Sequence, residues 1–142
     1  MNNYDYYRAK NEIEMPKESI KNKFIITNDP YQGFIRGNMF DSLYKPYKTY
    51  KVKELNPTNN REYQLLLVQM YAFAAHDLSL YLDINPDDVN AINLRMRYMD
   101  AYQEALANYE SSFGPITEDS QLLSSTPWAW NTNKWPWEGY NV

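Results

Sequence analysis

The stretch NREYQLLLVQMYAFAAHDLSLYLDINPDDVNAINLRMRYMDAYQEALANYESSFGP, residues 60–115, decides the fold. Its first half places apolar side chains at Tyr63, Leu66, Leu67, Met70, Phe73, Ala74, Leu78 and Tyr81, the spacing of one helical face. Just upstream, Asn56-Pro57-Thr58-Asn59-Asn60 stops one segment and starts another, and Asn59 with Glu62 three residues on fits a capping box. Asp83-Ile84-Asn85-Pro86-Asp87-Asp88 then interrupts the period. Asn85 suits an N-cap and Pro86 the first helical position, while Asp87 and Asp88 put negative charge where the helix dipole favours it. A second stripe follows at Val89, Ile92, Met96, Met99, Tyr102, Leu106, Tyr109 and Phe113, and Gly114-Pro115 ends it. So short an interruption folds the two helices back on one another as an antiparallel hairpin.

The first helix carries more apolar surface than one neighbour can cover. Between Leu65 and Ala75 only Gln69 is polar, and Leu65, Val68, Ala72 and Ala75 lie off the main stripe. A helix apolar around most of its circumference needs a second partner. The tails, another copy or another protein could supply it. Gln69, His76, Asp77 and Ser79 interrupt the apolar run of residues 65–82, which falls short of the roughly 20 mostly apolar residues of a membrane span. The opening MNNYDYYRAK lacks the apolar run of a signal peptide. The expectation is a chain made in the cytoplasm with no membrane partner.

Outward from the hairpin the chain loses its period. Residues 1–30 read as a polar tail, with a short helix expected around 12–23 and a turn at Asn28-Asp29-Pro30. Lys23-Phe24-Ile25-Ile26-Thr27 has strand character but nothing evident to pair with. In residues 31–56, Gly33 and Gly37 mark tight backbone. Met39, Phe40, Leu43, Tyr44 and Tyr47 have helical spacing, which predicts one short amphipathic turn there. Pro46 holds Lys45 extended. Residues 115–142 have no period, yet they hold all four tryptophans, in Pro127-Trp128-Ala129-Trp130 and Trp135-Pro136-Trp137-Glu138.

The fold class is therefore all-α: an antiparallel helical hairpin with an extended, largely irregular N-terminal segment and a Trp/Pro-rich C-terminal tail. The segments are 1–30, 31–56, 57–114 and 115–142.

Composition narrows the function. The chain has 142 residues, no Cys and one His, which excludes disulfides, thiolate metal sites, a Cys nucleophile and His-rich metal centres within one chain. Residues 1–56 hold ten basic and seven acidic side chains, whereas 57–142 hold four and eleven, so a weakly positive front faces an acidic back. Such halves attract within one chain or between neighbours, and self-association is one expectation. A net charge of −4 without a dense basic cluster argues against nucleic acid. The aromatic load stands out, with 14 Tyr, 4 Trp and 5 Phe in a chain of mean hydropathy −0.73.

Several constellations resemble sites without completing one. Asp83, Asn85 and Asp87 mimic the start of a calcium loop, but Asp88 stands where glycine is needed and Leu94 where glutamate is. One histidine and two helices cannot build a two-metal carboxylate bundle. His76 beside Asp77 leaves room for a small hydrolase, yet no nucleophile elbow or phosphate loop accompanies them. The tryptophan tail either wraps over the hairpin or docks on a partner, and peptidoglycan stacking is a further reading. No cofactor, metal or catalytic residue is expected.

Three separated motifs carry a resemblance. Tyr81-Leu82-Asp83-Ile84-Asn85-Pro86-Asp87-Asp88, Tyr109-Glu110-Ser111-Ser112-Phe113-Gly114-Pro115-Ile116-Thr117, and Pro127-Trp128-Ala129-Trp130 with Trp135-Pro136-Trp137-Glu138 are similar to the CotJB family of spore coat proteins, over about residues 60–138. Gly33-Phe34-Ile35-Arg36-Gly37-Asn38-Met39-Phe40, with Leu43 and Pro46-Tyr47, resembles the companion coat family CotJA, with Asn38 and Met39 in place of its Thr and Leu. The resemblance implies a structural protein made in the mother-cell cytoplasm and deposited in the spore coat. It also implies assembly with a manganese-catalase-like coat protein and other coat proteins. Any metal and redox chemistry would then sit in that partner. The docking residues expected on this chain are Arg36, Met39, Phe40, Leu43, Tyr47, Trp128, Trp130, Trp135 and Trp137.

Overall fold

The computed structural model describes Ile26, Thr27 and residues 29–131. Helix α1 is Pro30–Arg36, α2 is Asn60–Ile84 and α3 is Val89–Phe113; two short 3-10 turns follow at Gln121–Ser124 and Ala129–Asn131. The expected helix around 12–23, the polar tail's tyrosines, and Trp135 and Trp137 lie outside the described residues.

Helices α2 and α3 form the antiparallel hairpin. Cross-helix pairs fix its register: Arg61 Nε donates to Tyr109 Oη at 3.1 Å, Tyr71 stacks on Tyr98, and Arg95 Nε donates to Ser79 Oγ at 2.6 Å near the turn. At the start of α2 the Asn59 side chain accepts from Glu62 N–H, as expected. The Glu62 carboxylate reaches back to Thr58 N–H at 2.7 Å, one residue before the cap.

The turn between the helices corrects the sequence reading. Asn85 does not begin α3; its backbone and side-chain amides both donate to Tyr81 O and close α2. The N-cap is Asp88, whose carboxylate accepts from Asn90 and Ala91 N–H, and also from Tyr81 Oη at 2.9 Å. A carboxylate meeting three donors outcompetes an amide at Asn85, and Pro86 is left in the turn. Gly114 ends α3, as expected, with its N–H on Glu110 O and φ of 90°.

The face of α3 that meets the core is Ala91, Leu94, Tyr98, Ala105 and Tyr109. It shares Tyr109 with the expected stripe, Met99, Tyr102, Leu106 and Phe113 are partly buried beside it, and Ile92 is half-buried without belonging to that cluster. Val89 and Met96 face solvent instead. Ala91 and Ala105 let the backbones approach, and counting only large side chains overlooks such positions.

Helix α1 supplies the second neighbour that α2 needs. It packs on α2, with Phe34 edge-on to Phe73 at 5.8 Å. The Asp29-Pro30 pair, read as a turn, is the N-cap and first residue of α1: the Asp29 carboxylate accepts from Tyr31 and Gln32 N–H. Gly37, in the left-handed region at φ 73°, stops the helix. The short turn expected before Pro46 forms at residues 40–44, where Leu43 N–H donates to Phe40 O at 3.0 Å and Tyr44 N–H to Asp41 O at 3.4 Å, and no longer helix grows from it. At its start, Phe40 pairs with Ile26 in an antiparallel bridge, with Thr27 N–H on Met39 O at 2.8 Å. The strand-like residues at 26–27 thus find a partner within the front segment.

By length and composition alone α2 could cross a membrane, contrary to the reading of its polar interruptions. Half of that stretch is buried inside the protein, as expected of a core helix.

Burial pushes the Tyr98 phenol up, with Asp29 and Tyr71 adding to the shift. Burial does the same at Tyr31, opposed by the hydrogen bond with Leu55 and reinforced by Glu54. Both shifts favour the protonated phenol in the folded state. Their contribution to stability is therefore complete below the ordinary tyrosine range, near pH 10, and is lost as pH rises through it. Thermal melts are expected to fall above about pH 10, and Tyr98→Phe is expected to flatten that fall. An unchanged fall in the variant would contradict the assignment.

Candidate functional site

The front segment is held on α2 by one carboxylate. Asp77 Oδ2 accepts from Met39 N–H at 2.8 Å. Around it, Met39 is fully buried, Phe40 packs on Tyr81 at 5.0 Å, and Gly33 lies against the Met39 thioether. A Cβ at Gly33 would sit 2.1 Å from Met39 Sδ, so glycine makes that close approach feasible. His76, next along the helix, is exposed, as its neighbour's inward direction requires. Of the pair, His76 faces solvent and Asp77 binds backbone.

Asp77→Ala is expected to cost about 1–3 kcal/mol, because a buried N–H loses its acceptor. Asp77→Asn, which keeps an acceptor oxygen, should recover much of that, and His76→Ala should stay within about 0.5 kcal/mol. Urea denaturation of the three variants checks the ranking.

A second carboxylate, this one buried, organises the chain after α3. Glu110 accepts from Ile116 N–H at 3.0 Å and from the hydroxyls of Thr117 and Ser120. The sequence reading missed its role. Its signal was a glutamate on the buried side of α3, followed by hydroxyl residues just past the helix stop.

The structure separates the expected docking residues. Met39 and Phe40 dock on this chain's own α2. Arg36 is largely covered, pairs with Asp41 at 2.6 Å and lies over the Tyr44 ring. Leu43 and Tyr47 are exposed, Tyr47 at 70 %. Trp128 is 58 % exposed, and neither it nor the half-buried Trp130 belongs to the hydrophobic core. Leu43 and Tyr47 belong to a strap, residues 41–58, pinned at both ends. Phe40 anchors its start in the core. Near its end, Tyr31 Oη donates to Glu54 Oε2 and accepts from Leu55 N–H, both at 2.8 Å. Among the described residues no three His, Asp or Glu side chains gather to hold a metal ion.

These features define a helical-hairpin protein in which the carboxylates of Asp77 and Glu110 organise its own chain and whose surface displays exposed aromatic and apolar side chains. A CotJB protein family model matches residues 62–138, and the chain belongs to the CotJB family. That membership indicates a spore coat protein and accords with a structural role. The match takes in α2, α3 and the tryptophan tail; α1 and the strap lie before it. No curated protein and no solved structure matches the chain.

Proposed function

We propose that this chain is a non-enzymatic structural component of the endospore coat. It is made in the mother-cell cytoplasm and assembles in the coat with a manganese-catalase-like protein. The observation that carries this reading is the family match over residues 62–138. The hairpin supplies a rigid body. Exposed Tyr47 and Trp128, with Trp130, Trp135 and Trp137 of the tail, supply anchors of the residue types favoured at interfaces, and exposed Leu43 adds apolar surface. Met39 and Phe40 act indirectly, by seating the CotJA-like front segment so that Arg36, Leu43 and Tyr47 are held in place. Metal and redox chemistry belongs to the partner.

Co-expression with a manganese-catalase-like coat protein, followed by affinity purification and sizing, tests the reading. The two chains are expected to elute together, and Trp128→Ala with Trp130→Ala should weaken the complex. Separate elution at all concentrations would overturn it.

A further inference from the structure

The turn end of the hairpin leaves apolar side chains without cover. Leu80 and Ile84 lie four residues apart on α2, and Val89 and Met96 seven apart on α3. Each pair shares a helix face. Ile84 is 76 % exposed. Ile84 and Val89 join across an open depression of about 480 Å³ lined by residues 84–90. From Leu80 to Asn90 the chain carries no cation, and Asp83 and Asp87 are exposed beside the apolar groups.

The strap has the opposite character. From Ser42 to Lys53 it holds no carboxylate, and Lys45, Lys48, Lys51 and Lys53 are all exposed. Exposed Leu43 precedes them, and exposed Tyr47 and Tyr50 stand between them. Their display is built rather than loose. Tyr50 N–H closes a turn on Tyr47 O at 2.8 Å, and the Lys48 ammonium lies over the Tyr47 ring at 5.0 Å. Lys48 takes the left-handed φ of 45°, which is rare for a side-chain-bearing residue. Although Phe40 brings the start of the strap next to Tyr81, the apolar groups of strap and hairpin tip both remain open to solvent in the same chain.

We infer that the cationic strap of one copy docks on the acidic, apolar hairpin tip of another, seating its tyrosines against Ile84 and Val89. The occupant is a second copy because each chain presents both complementary surfaces, and among the described residues both stay exposed. Charge sets the register and the encounter rate, and the aromatic and aliphatic groups supply the desolvated contact. The inference does not depend on coat assembly, since it concerns the isolated chain.

Sedimentation velocity of the full chain over a concentration series tests it. Self-association is expected, weakened about tenfold or more by high salt. Lys48→Glu with Lys51→Glu, and separately Asp83→Lys with Asp87→Lys, should each give monomers. Mixing the two variants should restore association, because each then offers the other a complementary pair of surfaces. Tyr47→Ala with Tyr50→Ala, which leaves the charges in place, should also abolish it. All of these side chains are exposed, and unchanged circular dichroism melts verify folding. A wild-type chain that stays monomeric at low salt, as it would if residues 1–25 or a different protein covered the tip, overturns the inference. So does association that survives both charge reversals, or mixing that restores nothing.

Discussion

Tyr98→Ala is expected to destabilise the protein by about 3–5 kcal/mol, the range for removing a large aromatic from a core. Tyr98 is 1 % exposed and stacks on Tyr71 at 6.3 Å between ring centres, at the middle of the α2–α3 contact. The loss combines buried apolar area with a cavity that two helices tied at Arg61–Tyr109 and Tyr81–Asp88 cannot close by shifting. In a small domain that is a large share of the total stability. Chemical denaturation should show a lower midpoint with a similar slope. Tyr98→Phe should cost far less at neutral pH, because the ring and its stacking survive.

Met39→Ala is expected to cost about 2–5 kcal/mol and to loosen the front segment selectively. The side chain is fully buried against Gly33, and its backbone is bonded on both sides, by Asp77 and by Thr27. Removing the thioether leaves a cavity between α1 and α2. Hydrogen exchange should report faster loss of protection at Thr27 N–H than at the centre of α3. Equal protection throughout, with unchanged stability, would mean that the front segment contributes nothing to the cooperative fold.

Much of this architecture was legible in the sequence, and the failures have physical causes. The hairpin was readable because α2 and α3 each run 25 residues with apolar spacing and clear stops. The excess apolar surface of α2 announced a second neighbour, although not which one. Helix α1 escaped notice because Gly33 within it and Gly37 just after it read as tight backbone. Gly33 in fact accommodates Met39, and only Gly37 terminates the helix. The periodicity at Met39, Phe40, Leu43, Tyr44 and Tyr47 yields only the single turn at 40–44, because Met39 and Phe40 are held by Asp77 and Ile26 and Pro46 has no N–H with which to extend it. The start of α3 was misplaced by three residues, since a side-chain bond from Tyr81 to Asp88 is a tertiary contact that local pattern cannot reveal. Asp77 drew attention for its neighbour His76, whereas its partner is a backbone amide 38 positions away.

The surface features follow the same division. The aromatic excess sorts by place: Tyr71, Tyr81, Tyr98 and Tyr109 are core, Tyr31 ties the strap, and Tyr47, Tyr50 and Trp128 are displayed. The fold ties its front segment down through Asp77, Met39 and Tyr31, while apolar side chains of the strap and the hairpin tip stay exposed.

The most direct test of the proposed coat role is localisation of the native protein with a specific antibody in sporulating cells and on purified spores. The account predicts a signal confined to sporulation and retained in the spore coat. A uniform signal in vegetative cytoplasm, with none on spores, would contradict it.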